Sequence, residues 1–286
     1  MKRFLVLAGL LLFAAGARGQ LQVDLKFSRL QYVAYEPLIA TVKITNLAGR
    51  AIDLRDANEQ HWFGFELTFG DGQVLTPTRQ EEEAPLQMEA GQTVTRKINL
   101  TSRFPVNELG TYHVRANVYF ADLNKFFYSP SRVFQVGNAR TIWQRTVGVP
   151  ADGNTRTYSL LSNRLPDHTK LYVRVEDKST GAVYSTFSLG RVIAVGEPQV
   201  ELDPENRLHV LQCSAPRTWS YARIGLNGEL LAHATFMETK SRPRLQRSPD
   251  GAIAVRGGLL EQTTPSGVKP SGPKLSTRPE GPPVED

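Results

Sequence analysis

Apolar and polar side chains alternate without a break over residues 20–28, with Leu21, Val23, Leu25 and Phe27 set against Gln22, Asp24 and Lys26. A period of two predicts a strand with one buried face. Residues 37–46 repeat the pattern through Leu38, Ala40, Val42 and Ile44. Residues 61–69 are rich in aromatic side chains and lead into Gly70-Asp71-Gly72, which predicts a hairpin turn and a return strand over 73–76. The segment Glu89-Ala90-Gly91-Gln92 predicts a turn before a strand at 93–101, with Val94, Ile98 and Leu100 facing inward. Residues 110–121 alternate Tyr112, Val114, Ala116, Val118 and Phe120, and residues 132–136 predict a last strand. The run Gln80-Glu81-Glu82-Glu83 reads as a solvated loop. No stretch keeps a helical period.

Seven or eight short strands in 118 residues, with turn signals between them, predict an immunoglobulin-like β-sandwich over residues 20–137. Gly110-Thr111-Tyr112-His113-Val114 is similar to a tyrosine corner, in which a late-strand tyrosine hydroxyl bonds back to the backbone. The cysteine and tryptophan hallmarks of antibody domains are absent. Tyr35-Glu36-Pro37, followed by an apolar strand ending in Asn46, resembles the sandwich modules of bacterial envelope and extracellular proteins. Over about ten residues it is also similar to the small sandwiches of the Bacillus intracellular proteinase inhibitor kind. That likeness extends to fold and not to inhibition.

The second half repeats itself. Pro198-Gln199-Val200-Glu201-Leu202-Asp203-Pro204 and Pro243-Arg244-Leu245-Gln246-Arg247-Ser248-Pro249 each open a short strand, a polar turn and a second strand, at an offset of 45 residues. Two more hairpins interleave with them, over 170–189 and 219–236, turning at Gly181 and at Asn227-Gly228. Four strands recurring at this interval match the size of a β-propeller blade. The pattern resembles propeller repeats of the secreted, sialidase-like sort. It departs from them at Ser248-Pro249-Asp250-Gly251, where no tryptophan follows. Residues 150–260 hold only about two and a half such blades, too few to close a propeller. An open multi-hairpin sheet, a propeller completed by oligomerisation and a divergent fragment remain. The open antiparallel arrangement is the expectation taken forward, giving an all-β chain with a blade-like second domain. Docking against the first domain is one way to protect its edges.

The ends of the chain read differently. Residues 1–19 carry a basic start, an apolar run over 4–15 and small residues after it, the order of a secretory signal peptide. Cleavage is expected after Ala17 or Gly19, with export to the periplasm or cell exterior. No later apolar run is long enough to span a membrane, which takes roughly 20 residues. Residues 138–149 read as a linker that packs through Ile142, Trp143 and Val147, and residues 261–286 as a disordered Pro/Gly-rich tail.

Composition narrows this further. The chain has 286 residues, 40% hydrophobic and 22% charged, so it can build cores. One cysteine excludes an internal disulfide framework and multi-cysteine zinc sites. Formal net charge is +6, and Lys2, Arg3 and Arg18 lie in the signal, leaving +3 for the exported chain. Residues 20–137 carry 12 basic and 13 acidic side chains, whereas residues 138–260 carry 16 and 11. The positive excess therefore sits on the second domain.

Candidate chemistry is sparse. None of the five histidines has metal-ligand spacing, and His113 and His209, on strand faces opposite the core, read as surface or satisfied structural histidines. Cys213 reads as a buried structural thiol, because His209 at i−4 on a strand lies about 13 Å away. Asp203-Pro204-Glu205-Asn206 reads as a hairpin turn rather than a calcium loop. No catalytic, cofactor-binding or metal-binding residue is assigned, and no cofactor is expected. Two surfaces stand out. Lys240, Arg242, Arg244 and Arg247 form a basic run, the first three on one face if the strand is extended. Such a stripe suits an anionic glycan, a phosphate-bearing polymer or an acidic protein, or simply keeps an edge strand soluble. Trp62, Phe63, Phe126 and Phe127 form a possible aromatic contact surface, with burial between the domains as the alternative. The expected function is an exported, non-catalytic binding or structural protein of the cell envelope. Its partner is expected to be a protein or glycan and not nucleic acid; oligomeric state is not legible. A carbohydrate-active protein, or an inhibitor or folding helper acting through sandwich edges, are the alternatives.

Overall fold

The computed structural model describes residues 20–79, 81–149 and 153–261. The segment expected as a signal and the tail after residue 261 lie outside the described residues. The chain is all-β. Its first half contains β1 (Leu21–Phe27), β2 (Gln31–Val33), β3 (Ile39–Asn46), β4 (Ile52–Leu54), β5 (Phe63–Phe69), β6 (Gln73–Leu75), β7 (Leu86–Met88), β8 (Thr93–Asn99), β9 (Gly110–Phe120), β10 (Lys125–Tyr128) and β11 (Arg132–Gly137).

These strands form an immunoglobulin-like sandwich. One sheet has the order β1-β3-β8; the other has β2-β11-β9-β5-β6, with β10 also paired to β9. The short pair β4-β7 lies apart. β2 runs parallel to β11, while the other pairings are antiparallel. The alternation seen in the sequence is what closes the core. Leu25, Ala40, Val42 and Ile44 from one sheet meet Leu67, Tyr112, Val114, Ala116, Val118 and Phe134 from the other, all buried. Each Val, Leu, Ile or Phe side chain among them contributes about 1.5–3 kcal/mol when removed from water. The tyrosine corner is present: the Tyr112 hydroxyl donates to the Glu108 carbonyl at 2.8 Å. The ring beneath it stacks on Phe134 with centroids 5.0 Å apart. Burial pushes the Tyr112 phenol up to about 12.

The second half contains β12 (Arg140–Gly148), β13 (Thr155–Arg164), β14 (Thr169–Asp177), β15 (Ala182–Val192), β16 (Gln199–Leu202), β17 (Leu208–Ala215), β18 (Thr218–Ile224), β19 (Leu230–Met237), β20 (Arg244–Arg247), β21 (Ile253–Arg256) and β22 (Leu259–Leu260). β12-β13-β14-β15 is one antiparallel meander and β16-β17-β18-β19 a second, with β22 added to the edge of β19. β20-β21 is a hairpin. The repeat is therefore two blade-like sheets and the first half of a third, and none of the sheets closes into a barrel. Residues 138–149, expected as a packed linker, carry β12, which pairs with β13 along its length with a bulge between Thr141 and Trp143. Seven of the nine residues of β12 are exposed, so its period-two signal is too faint to read.

The three layers stack face to face. Leu208 and Val210 of β17 pack against Leu160, Leu171 and Val173 of the first sheet. On the opposite face Leu211 and Cys213 pack with Trp219, Leu245 and Val255 beneath the hairpin. β17 is buried on both sides, which explains its near-continuous apolar run. The far face of the first sheet offers Leu161 and Tyr172 to Val33 and Ala139, so the sandwich covers that face. The far side of the hairpin is polar, with Arg244, Gln246, Ala254 and Arg256 exposed, and ends the stack against water.

Candidate functional site

β20 begins at Arg244, after a bend that carries Lys240 and Arg242. The basic run is therefore not a single strand face. Arg244 and Arg247, three residues apart, lie on opposite faces of β20. Arg247 is engaged within the fold, donating to Glu201 Oε2 at 3.0 Å and to the Leu202 carbonyl at 2.6 Å. Lys240 is exposed and lines no cleft described here.

Arg242, Arg244 and Arg256 border an open cleft of about 510 Å³ at the end of the hairpin, also lined by Glu197, Gln199, Trp219 and Gly257, with Arg244 and Arg256 on the hairpin face opposite Leu245 and Val255. The register of the hairpin places Arg244 directly opposite Arg256. Arg256 was not among the expected residues. The signal for it was present: a hairpin turning about Pro249-Asp250 sets position 244 against 256. Neither arginine makes an ion pair among the described residues. Arg242 is held from below. Its guanidinium sits 4.5 Å from the centroid of the Trp219 indole and donates to the Val195 carbonyl at 3.2 Å. Gly257 closes over its carbonyl and Gly258 over the neighbouring Pro243, at φ +81° and +68°. A Cβ at Gly257 would lie 2.7 Å from the Arg242 carbonyl oxygen, and one at Gly258 2.7 Å from Pro243 Cγ. Only glycine permits this approach together with positive φ.

A second cleft of about 580 Å³ lies between the entry to β12 and the entry to β16, lined among others by Arg140, Ile142 and Trp143. The two clefts share Gly196 and Glu197, and among the described residues Glu197 is the only carboxylate lining either one.

The four aromatic residues separate. Trp62 and Phe63 are buried and do not form an exposed surface. Adjacent residues on a strand face opposite sides, but Trp62 precedes β5 and turns inward. Its indole N–H donates to the Glu83 carbonyl at 3.1 Å, and Arg96 covers its ring at 4.8 Å. The acidic run is accordingly not simply solvated. Glu83 pairs with Arg96 and with Arg103 at 2.7 Å, and Glu81 with Arg103 at 2.8 Å, while Glu82 is exposed. Phe63 and Phe126 line one hollow of about 240 Å³. Phe127 packs against the sandwich core.

His209 is a buried, satisfied structural histidine rather than a surface one, because the hairpin covers the far side of β17. Its Nε2 donates to Asp203 Oδ2 at 3.0 Å, and its Nδ1 accepts from the Tyr221 hydroxyl at 2.9 Å. Asp203 also takes Arg207 Nε at 2.6 Å and the backbone N–H groups of Glu205 and Arg207. With its oxygens so occupied, the turn is a hydrogen-bonded staple. Cys213 is buried and its thiol is pushed up by burial, away from thiolate chemistry. Among the described residues no group of three or more His, Cys, Asp and Glu is placed to hold a metal ion, and no helix is long and apolar enough to cross a membrane.

No protein-family description and no curated protein matches the chain. Among solved structures, the sporulation control protein Spo0M from Bacillus subtilis is similar at a TM-score of 0.29 and 10% identity, over 58% of this chain and 83% of that one. A likeness at this level bears on neither fold nor function.

Proposed function

We propose that the chain is an exported, non-catalytic binding protein of the cell envelope whose second half supplies the contact surface. One observation carries this reading. Three arginines, Arg242, Arg244 and Arg256, line one open cleft in the half of the chain that holds the positive excess, and the cleft contains a single carboxylate. Uncompensated guanidinium groups held together by a rigid hairpin repel one another, and an anionic partner relieves that repulsion. Hydrolysis by paired carboxylates needs two acids about 5–10 Å apart, and neither cleft between the sheets has two in its lining. Export rests on the order of charged, apolar and small residues over 1–19.

The test is retention of the exported chain on its own envelope fraction at low and high salt. Retention that falls steeply as salt rises, and falls likewise in Arg244→Ala/Arg256→Ala, is the expected result. Retention indifferent to salt and to these substitutions would sink the reading. N-terminal sequencing of protein recovered outside the cytoplasm is expected to begin at Arg18 or Gln20; an intact Met1 there, or recovery from the cytoplasm alone, contradicts export.

A further inference from the structure

We infer that the open edge of β5 at Phe63 and Phe65 takes an extended segment of a partner protein as an added strand, with an apolar side chain in the hollow beside it and a carboxylate at Arg79. This surface lies on the sandwich, apart from the arginines of the second half.

The edge is open for a local reason. Even-numbered residues bond β5 and its flanks to β9: the Gly70 N–H donates to the Thr111 carbonyl at 3.0 Å, and the Tyr119 N–H donates to the Trp62 carbonyl at 2.8 Å. Successive residues of an antiparallel strand send these groups to opposite sides, so Phe63, Phe65, Leu67 and Phe69 point theirs away from β9. β6 pairs only with Leu67, Thr68 and Phe69. Two residues further the register sets Pro77 opposite Phe65, and proline has no N–H to give. The chain turns off there. The N–H and the hydroxyl of Thr78 both donate to the Arg103 carbonyl, at 2.8 and 3.1 Å. Among the described residues nothing takes up the N–H and C=O groups that Phe63 and Phe65 turn to this side. Such a row of backbone groups is a template for another strand.

The hollow of about 240 Å³ lies along this edge. Phe63, Phe65 and Phe104 line it from the core side, Asn117 and Phe126 from the outer face of the sheet. Gly64 leaves the outer side open; a Cβ there would lie 3.0 Å from Asn117 Oδ1. The volume falls below the roughly 300 Å³ at which small-molecule sites begin. It suits one side chain of a longer segment, whose main-chain bonds along the edge supply the rest of the affinity.

Charge sets the partner's chemistry. Arg79 lines the hollow, is exposed, and makes no ion pair among the described residues. The charges beside it are matched: Arg103 pairs with Glu81 at 2.8 Å, and His61 bonds to Asp56 at 2.7 Å. The unmatched charge is positive, which favours a segment carrying Asp or Glu next to its apolar residues.

The test is calorimetric titration of the full chain at low salt with a six-residue peptide of alternating threonine and valine ending in glutamate, blocked at both ends. Binding is expected. The same peptide N-methylated along its backbone binds at least about tenfold more weakly, because it cannot donate to the edge. A peptide with lysine in place of glutamate binds about threefold more weakly, and Arg79→Glu reverses that preference. Phe65→Pro removes an edge N–H and abolishes binding. Circular dichroism checks its fold, and the Arg79→Glu result decides if it does not fold. Arg244→Ala/Arg256→Ala leaves peptide affinity within about twofold, which separates this edge from the cleft of the second half. Any of three results overturns the inference: equal binding of the N-methylated peptide, an unchanged preference for glutamate in Arg79→Glu, or no binding of the unmethylated peptide up to about 1 mM. A dimer of the full chain in sedimentation that Phe65→Pro abolishes would give the edge to a second copy and overturn it as well.

Discussion

Four donors converge on the carboxylate of Asp203: the backbone N–H groups of Glu205 and Arg207, Arg207 Nε and His209 Nε2. The carboxylate is held below its ordinary range even though burial opposes this, because His209 and Arg207 hydrogen-bond to its charged form. Burial outweighs the Asp203 contact at His209 and lowers its pKa, so the ring stays neutral with Nδ1 free to accept from Tyr221. The linkage has a definite sign. The unfolded chain takes up a proton at His209 near its ordinary value of 6.5 and the folded chain does so only at lower pH, so stability is complete above 6.5 and falls as pH drops. Asp203 contributes above its ordinary value of 3.8 and is lost only below it. Between neutral pH and about 5 the decline therefore belongs to His209. His209→Phe is expected to remove that decline and to cost about 1–3 kcal/mol at pH 7, since Asp203 and the Tyr221 hydroxyl each lose a buried partner. Urea melts of both proteins across this pH range read the difference. A variant whose stability still declines as steeply would place the titrating group elsewhere.

The elements that alternation announces are those with one dry and one wet face, and β1, β3 and β9 show it most plainly. β2, β4 and β7 have three residues each, too few for a period to be visible. β12 fails for the opposite reason, being wet on nearly all sides. The 45-residue repeat was legible because β16 and β20 begin at equivalent positions, Gln199 and Arg244. What one strand could not reveal was the cleft. Arg242, Arg244 and Arg256 come to border one cleft through a bend, a hairpin register and a neighbouring sheet, none of which linear spacing encodes. The bend is also where the site can be tested without altering its charge. Gly257→Ala places a Cβ against the Arg242 carbonyl in a backbone conformation that costs an ordinary residue about 1–2 kcal/mol. The expected outcome is a lower melting temperature together with weaker salt-dependent retention on the envelope fraction, although all three arginines remain. Reduced melting with unchanged retention would show that the bend does not set the position of Arg242.

At the scale of the whole molecule, an open stack of sheets must bury its outer faces. The hairpin ends one side with a polar face. The other side depends on the sandwich, and the contact is made by the segment 33–36 that leads into β3. Tyr35 adopts φ 66° and lies beneath the Arg174 guanidinium, whose carbon is 5.0 Å from the ring centroid. Arg174 Nη2 donates to the Ala34 carbonyl at 2.7 Å. Glu36 is buried beside Arg29, and Arg29 Nη1 donates to the Tyr172 hydroxyl at 3.0 Å. Burial raises the pKa of Glu36 despite Arg29, so this contact is placed at an electrostatic cost and gains its strength from the apolar set around it. That set is small, consisting of Val33, Ala139, Leu161 and Tyr172. Losing one charged hydrogen bond here therefore matters. Arg174→Ala removes a bond worth about 1.5–3 kcal/mol and uncovers the Tyr35 ring. The sandwich encloses its own core, whereas the first sheet of the stack keeps one apolar face only under this cover. Calorimetry of the variant is expected to resolve two transitions, the stack melting first, where the unsubstituted chain shows one. A single transition at an unchanged temperature would mean that the four apolar side chains hold the halves together without Arg174.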